Sequence, residues 1–134
     1  MSYLVDTDWV VDWLKGRKST VERLSALAPE GLAMSLITYG EIYEGIYSPR
    51  ATDPTGYERT FNRFLRLVRV LPLTRAIMRR FARERAHLRH LGALIPDADL
   101  LIASTALDQG LTLLTGNRQH FERVPGLTLA NFPR

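Results

Sequence analysis

The chain has 134 residues, which is enough for one domain with a buried core and too few for two ordinary domains. Hydrophobic residues make up 46% and charged residues 24%, and the absence of cysteine excludes disulfides, thiolate nucleophiles and cysteine-bound zinc. The net charge of +4 favours a polyanionic partner, and no apolar run approaches the length of about 20 residues that crosses a bilayer.

The first third of the chain predicts two strands, each followed by a helix. Residues 3–5 are an apolar run that stops at Asp6, and apolar residues then recur at helical spacing. Residues 32–34 form a second apolar run, and either Ser35 or Thr38 can cap the helix that follows it. Strand-helix alternation therefore begins at the N-terminus.

The remainder continues the alternation. The apolar patterns predict an amphipathic helix from residue 57, a strand at 68–71, helices at 74–90 and 97–108, and strands at 111–114 and 127–129. Short apolar strands that alternate with helices are typical of a largely parallel sheet. We therefore expect one α/β domain over residues 1–134, with three layers and a central, mostly parallel sheet between helices.

Acidic and amide side chains occur where these predicted strands end. Asp6 follows the first strand, Glu41 lies shortly after the second, Asp97 and Asp99 open a helix, and Asn117 follows the fourth strand. The carboxyl ends of parallel strands meet at one edge of a sheet, where ligands bind in folds of this kind. Converging carboxylates with open positions suit Mg²⁺ or Mn²⁺, which prefer oxygen ligands.

Each of these residues also has a purely structural explanation. Asp6 can cap the first helix, and Thr38 with Glu41 has the spacing of a capping box. Asp97 and Asp99 can complement the positive end of their helix, and Asn117 is a common turn residue. No single position decides between a functional and a structural role. The repeated placement of acids at strand ends favours a functional site.

The positive charge is concentrated between Arg59 and Arg89, a segment that contains ten arginines and a single acid, Glu84. The planar guanidinium group of arginine can donate paired hydrogen bonds to phosphate. This block therefore indicates either contact with a polyanion or a solvated helix surface. The candidate RNA-binding residues are Arg59, Arg63, Arg66, Arg75, Arg79 and Arg83. His87 and His90 lie among these arginines and are expected to be solvated, whereas His120 is expected to be a packing residue.

With the acids placed, the sequence resembles the PIN-domain nucleases, and among them the VapC toxins of prokaryotic toxin–antitoxin pairs. The resemblance is carried by four stretches that are spread over nearly the whole chain: Leu4-Val5-Asp6-Thr7-Asp8, Ser35-Leu36-Ile37-Thr38-Tyr39-Gly40-Glu41-Ile42, Ile95-Pro96-Asp97-Ala98-Asp99-Leu100-Leu101-Ile102-Ala103 and Leu114-Thr115-Gly116-Asn117-Arg118-Gln119-His120-Phe121.

The resemblance implies a three-layer PIN-like α/β/α fold and an endoribonuclease that depends on Mg²⁺ or Mn²⁺. By this resemblance Asp6, Glu41 and Asp99 match the first three family acids, Asp97 is an additional nearby acid, and Asn117 stands at a fourth position that is often Asp. A neutral residue there puts a second tightly bound metal in doubt.

The resemblance further assigns supporting hydroxyl positions near the site to Thr7 and Thr115. It also implies an RNA substrate, a homodimer and a VapB-type antitoxin that covers the cleft. The N-terminus lacks the pattern of a secretion signal, and we therefore expect a cytoplasmic protein.

Two other functions fit some of the residues. A nucleic-acid-binding module with the same fold and no catalysis is consistent with Asn117 and with the capping explanations. A small phosphatase of the haloacid-dehalogenase type is suggested by Asp6-Thr7-Asp8 after a strand, although the chain is short for that class and lacks a convincing later lysine.

Overall fold

The computed structural model of the chain describes residues 2–132. Its elements, in chain order, are β1 (Tyr3–Val5), α1 (Thr7–Leu14), α2 (Lys18–Leu27), a short 3₁₀ turn (Ala28–Glu30), β2 (Leu32–Ser35), α3 (Leu36–Tyr47), α4 (Pro54–Phe64), β3 (Arg69–Leu71), α5 (Arg75–His90), α6 (Asp97–Gln109), β4 (Thr112–Leu114) and α7 (Arg118–Phe121). No helix among the described residues is long and apolar enough to cross a membrane.

The sheet has the strand order β3-β2-β1-β4, and each neighbouring pair is parallel. The chain moves from β1 through β2 to β3, then returns to place β4 on the other side of β1. The strand order therefore changes direction between β1 and β4. In open parallel sheets, ligand sites form at the carboxyl ends of the strands at such a switch point.

Two apolar clusters cover the two faces of the sheet. Successive residues of a strand point to opposite faces, so Val5 packs in one cluster with helices α1 to α4, and Leu4 packs in the other with α5, α6 and α7. Both residues are 0% exposed. This arrangement confirms the predicted three-layer α/β/α architecture, and the sheet formed by the named strands is entirely parallel.

Several element predictions needed correction. Residues 127–129 do not form a strand, because the segment makes only an isolated parallel bridge between Leu113 and Leu129. Helix α2 was not predicted, although Thr20, Leu24 and Leu27 repeat at helical spacing and are buried. Ser35, and not Thr38, caps α3, since the Ser35 hydroxyl accepts a hydrogen bond from the backbone N–H of Ile37.

Candidate active site at the carboxyl ends of the strands

Asp6 follows β1 directly and is fixed by three hydrogen bonds. Its backbone N–H bonds to the Leu114 carbonyl at 2.9 Å, which continues the pairing of β1 with β4. Its Oδ1 accepts from the backbone N–H of Thr7 at 2.8 Å, and its Oδ2 accepts from the Thr115 hydroxyl at 2.7 Å. Asp6 thus caps α1, as one alternative predicted, and its carboxylate also lies at the switch point of the sheet.

The Asp6 carboxylate is electrostatically disfavoured in this position. Only 4% of the residue is exposed, and its pKa is raised from 3.8 to about 7, first by burial, then by the negative charge of Asp8 and to a smaller extent by that of Asp99. The hydrogen bonds from Thr115 and Thr7 act in the opposite direction and lower the pKa. Asp6 is therefore a buried acid within electrostatic reach of two others, which is typical of functional sites.

Glu41 is brought to this site through Thr7. The Thr7 hydroxyl donates to Glu41 Oε1 at 2.7 Å and lies 3.0 Å from the Thr38 hydroxyl, so it connects the first turn of α1 to α3. The capping-box explanation for Glu41 is wrong, because Thr38 lies inside α3 and the Glu41 carboxylate bonds to Thr7. The supporting position assigned to Thr7 thus corresponds to a direct contact with a candidate catalytic acid.

Asp99 lies in the first turn of α6 and contacts the segment that follows β4. Its Oδ2 is 2.7 Å from Nδ1 of His120 and 3.5 Å from the side-chain nitrogen of Asn117. The Asn117 amide nitrogen is also 2.7 Å from His120 Nδ1, and the Asn117 backbone N–H donates to the Thr115 hydroxyl at 2.9 Å. Asp6, Thr115, Asn117 and Asp99 therefore form one continuous set of contacts.

Sequence reasoning missed His120 as a member of this site. The prediction of a packing residue is incomplete, because the imidazole contacts the Asp99 carboxylate and a third of its side chain is exposed. Its position could have indicated this role, because His120 lies three residues after Asn117, in the helical turn that follows the fourth strand. The four-residue helix α7 places both side chains toward Asp99.

Asp8 was not predicted as a site residue, apart from the phosphatase alternative, yet it contacts the same region. Its Oδ2 accepts from the backbone N–H of Gly116 at 2.9 Å, which ties the first turn of α1 to the loop after β4. Its charge is the largest electrostatic influence on the pKa of Asp6. Asp8 therefore helps to set both the shape and the negative potential of the site.

Asp97 is not brought into the set of contacts. Its Oδ1 pairs with Arg85 of α5 at 2.9 Å, and 61% of its side chain is exposed. Residues two positions apart on a helix point in directions that differ by about 200°. Asp97 and Asp99 consequently project from different sides of α6, and Asp97 is directed toward Arg85.

The donor set fits a hard divalent cation that keeps most of its water. Among residues 2–132, no three His, Asp or Glu side chains lie close enough to form a full ligand set from protein groups alone. Mg²⁺ is commonly held by one or two carboxylates with waters completing its coordination. Buried Asp6, with its pKa raised toward neutrality partly by Asp99, is the kind of group whose charge such a cation would balance.

The six arginines predicted to contact RNA are all exposed. Arg59, Arg63 and Arg66 lie on α4 or directly after it, and Arg75, Arg79 and Arg83 lie on α5. His87 and His90 are exposed on α5, as expected. These six arginines thus form two groups, one on α4 and just after it and one on α5, and only the first group is close in sequence to α3, which carries Glu41.

Comparison with known proteins agrees with the fold. Residues 3–127 match the PIN domain family. The chain therefore belongs to the PIN-domain family and, within it, to the VapC group.

Individual relatives cover most of the chain. Ribonuclease VapC1 of Methanocaldococcus jannaschii is 36% identical over 121 residues, which is 90% of this chain and 79% of that protein. Ribonuclease VapC1 of Haemophilus influenzae strain R2866 is 32% identical over 95% of each chain. The crystal structure of VapBC2 from Rickettsia felis bound to a promoter DNA fragment superposes with a TM-score of 0.90 at 27% identity, covering 99% of this chain and 100% of that one.

Proposed function

We propose that this protein is an endoribonuclease that depends on Mg²⁺ or Mn²⁺ and acts as the toxin of a type II toxin–antitoxin pair. The observation that carries the proposal is the buried Asp6 carboxylate at the switch point of the sheet, within electrostatic reach of Asp99. The names of the relatives, ribonuclease VapC1 in both cases, support the choice of RNA as the substrate.

Asp6 and Asp99 are the residues that would hold the cation, with the Asn117 side-chain oxygen as an additional neutral ligand. Each carboxylate oxygen has two lone pairs, so the hydrogen bonds to Asp6 leave room for a cation. A cation held there would neutralise charge on the phosphodiester and would lower the pKa of a nearby water. Asp97 is proposed to be a structural partner of Arg85 and not a ligand.

The chain's own groups orient the reactants. Glu41, held by the Thr7 hydroxyl, accepts a hydrogen bond from the attacking water and aligns it with phosphorus. Water oxygen bonds to phosphorus as the bond from phosphorus to the 3′ oxygen breaks. The attacking water loses a proton to solvent and the departing 3′ oxygen takes one from solvent, so the products carry 3′-hydroxyl and 5′-phosphate ends. Thr115 fixes the Asp6 rotamer, and His120 restrains the Asp99 carboxylate at 2.7 Å.

The exposed arginines of α4 and α5 are proposed to attract the RNA backbone. Phosphate attraction of this kind weakens steeply with salt, because binding releases counterions. The proposed partners are a VapB-type antitoxin, in line with the VapBC complexes among the structural neighbours, and, by the family resemblance alone, a second copy of this chain. With an RNA substrate and such a partner, the activity would be located in the cytoplasm.

The decisive experiment measures cleavage of single-stranded RNA by purified protein with Mn²⁺, Mg²⁺ or EDTA. Asp6→Asn and Asp99→Asn are expected to lower kcat at least about a hundredfold, since each removes a charge that acts on the transition state. Asp108→Asn, which changes an exposed carboxylate on α6, is the matched control and should retain activity.

Other outcomes would favour the alternatives. Full activity in EDTA or in Asp6→Asn would refute the metal-dependent mechanism. RNA binding without cleavage under any metal would indicate a non-catalytic binding module. Turnover of a small phosphomonoester with an acid-stable phosphoenzyme would indicate a phosphatase, which none of the relatives named above suggests.

A further inference from the structure

A cleft of about 660 Å³ lies between the end of α3, the loop of residues 50–53 and helix α4. This volume is within the range of about 300–1,000 Å³ that is usual for ligand pockets. The residues of this α3–α4 cleft that matter for its chemistry are Gly45, Arg50, Tyr57, Arg59, Thr60 and Arg63.

The α3–α4 cleft is strongly positive. Arg50, Arg59 and Arg63 are exposed, and none of them pairs with a carboxylate of residues 2–132, whereas Arg80 and Arg85 of α5 do. The one acid that lines the cleft is Asp53, which caps α4 by accepting from the backbone N–H of Gly56 at 3.1 Å. Three arginines therefore remain available for an external anion.

One of these arginines is positioned by its own helix. Arg63 donates to the Thr60 hydroxyl at 3.2 Å, and that hydroxyl donates to the Gly56 carbonyl at 3.1 Å. The cleft walls are also joined, because the Tyr43 hydroxyl of α3 donates to Glu58 of α4 at 2.6 Å. The cleft is thus formed before any ligand binds, which reduces the entropy lost on binding.

Gly45 forms the part of the cleft that belongs to α3. Glycine within a helix destabilises it by up to about 1 kcal/mol relative to alanine. A Cβ at Gly45 would meet no atom within 4 Å, so the packing of this chain does not require glycine there. Gly56 differs, since a Cβ there would collide with the Asp53 carboxylate. The missing side chain at Gly45 therefore leaves open space within the lining of the cleft and not room for a neighbouring residue.

Helix α3 carries both Gly45 of the cleft and Glu41 of the candidate active site. Glu41 and Gly45 are four residues apart, which places them on the same side of the helix about 6 Å apart along its axis. A strand of RNA whose cleaved phosphate lies beside Glu41 can therefore continue directly over Gly45. Its next phosphates would then lie among Arg59, Arg63 and Arg50.

We propose that the α3–α4 cleft is a substrate subsite that binds a backbone phosphate of single-stranded RNA next to the phosphate that is cleaved. The inference rests on the proposed function, because its ligand is the proposed substrate. Arginine recognises phosphate through paired N–H groups, and the bare backbone at Gly45 lets the strand approach α3. The subsite fixes the position of the strand and carries no base specificity of its own.

The test measures binding of a short, 5′-fluorescein-labelled single-stranded RNA by fluorescence anisotropy in EDTA, so that cleavage does not interfere. Arg59→Ala and Arg63→Ala should each raise Kd about five- to tenfold and reduce the slope of log Kd against log salt by about 0.7. Lys15→Ala removes one positive charge at the end of α1, where the side chain is exposed and does not line the cleft, and it should raise Kd less than about twofold. Equal losses for Arg63→Ala and Lys15→Ala would show general attraction only and would overturn the proposal.

A second variant fills the cleft without removing charge. Gly45→Leu introduces a good helix former where the structure has open space, so thermal stability should be unchanged or higher. Its Kd for RNA should rise at least about fivefold, and in Mn²⁺ its KM should rise while kcat stays within about twofold. The matched control is Gly40→Leu, at an exposed position of the same helix that also has no atom near its Cβ and does not line the cleft.

The outcomes separate this inference from the proposed function. Cleavage of RNA by Gly45→Leu with unchanged Kd and KM would overturn the subsite and leave the nuclease intact. RNA binding that depends on Gly45 and Arg63, in a protein that cleaves nothing, would retain the subsite and refute the nuclease. If Gly45→Leu binds RNA normally but no longer co-purifies with an antitoxin from its own operon, the cleft binds protein and the proposal is wrong.

Discussion

Replacing the buried Asp6 carboxylate with an amide should stabilise the metal-free protein while abolishing its activity. The folded chain raises the pKa of Asp6 from 3.8 to about 7, mainly by burial and by the charge of Asp8. One pKa unit corresponds to about 1.4 kcal/mol, so ionised Asp6 destabilises the folded chain by about 4 kcal/mol at pH 8. Asp6→Asn removes that charge at nearly constant shape.

The net gain should be smaller than this figure. The Asp6 carboxylate accepts hydrogen bonds from Thr7 and Thr115, and an amide has only one oxygen with which to accept them. Loss of one such bond offsets about 1–2 kcal/mol, which leaves a stabilisation of about 2 kcal/mol. For a chain of this length that is a rise in Tm of about 8 °C in EDTA at pH 8.

The pH dependence has a definite sign. Between about pH 4 and pH 7 the unfolded chain has released the Asp6 proton and the folded chain still holds it, so the stability of the wild type should fall as pH rises. Thermal unfolding in EDTA from pH 5 to pH 8 should show this decline in the wild type and a much smaller one in Asp6→Asn. Asp108→Asn, at an exposed position, should behave like the wild type.

Adding Mn²⁺ provides an independent check. A cation that binds only the folded state raises Tm by mass action, so the wild type should be stabilised at pH 8 and Asp6→Asn should not. The reasoning is refuted if Asp6→Asn is less stable than the wild type in EDTA, or if both proteins show the same decline with pH.

Three further substitutions test individual contacts in the candidate site. Thr7→Val removes the hydroxyl that holds Glu41 and should lower kcat about tenfold in an RNA cleavage assay, while Thr7→Ser retains most activity. His120→Ala frees the Asp99 carboxylate and should lower kcat about tenfold with little change in Tm; an unchanged kcat would assign His120 to packing alone. Asp97→Ala should leave both kcat and the Mn²⁺ requirement within about threefold, and a large loss would show that it is a ligand after all.

Much of the architecture could be predicted from the sequence because the apolar pattern of a buried strand is local. The run Leu4–Val5 ends abruptly at an acid, and this placed Asp6 correctly at the carboxyl end of a strand. Residues 127–129 have a similar apolar pattern but make only one bridge. The apolar pattern alone therefore identified the buried strands, but it wrongly predicted a last strand at residues 127–129.

The contacts between site residues were less predictable because they depend on how helices pack. The bond from Thr7 to Glu41 joins residues 34 positions apart, and the contact of His120 with Asp99 joins residues 21 apart. Neither pair has a spacing that sequence periodicity can detect. Asp97 is different, because residues two positions apart on a helix point to different sides of it. The sequence alone therefore already indicates that Asp97 and Asp99 project in different directions.

The backbone around Asp6 explains why this residue can serve both the fold and a reaction. Its N–H is bonded to Leu114 of β4, the preceding Leu4 and Val5 are fully buried in opposite layers, and Thr7 and Thr115 hold both carboxylate oxygens, so the carboxylate is kept in its buried position. The charge must then be neutralised where it is, by a proton at low pH or by a cation near neutral pH. The same rigidity that makes ionised Asp6 unfavourable for folding would therefore strengthen its affinity for a divalent ion.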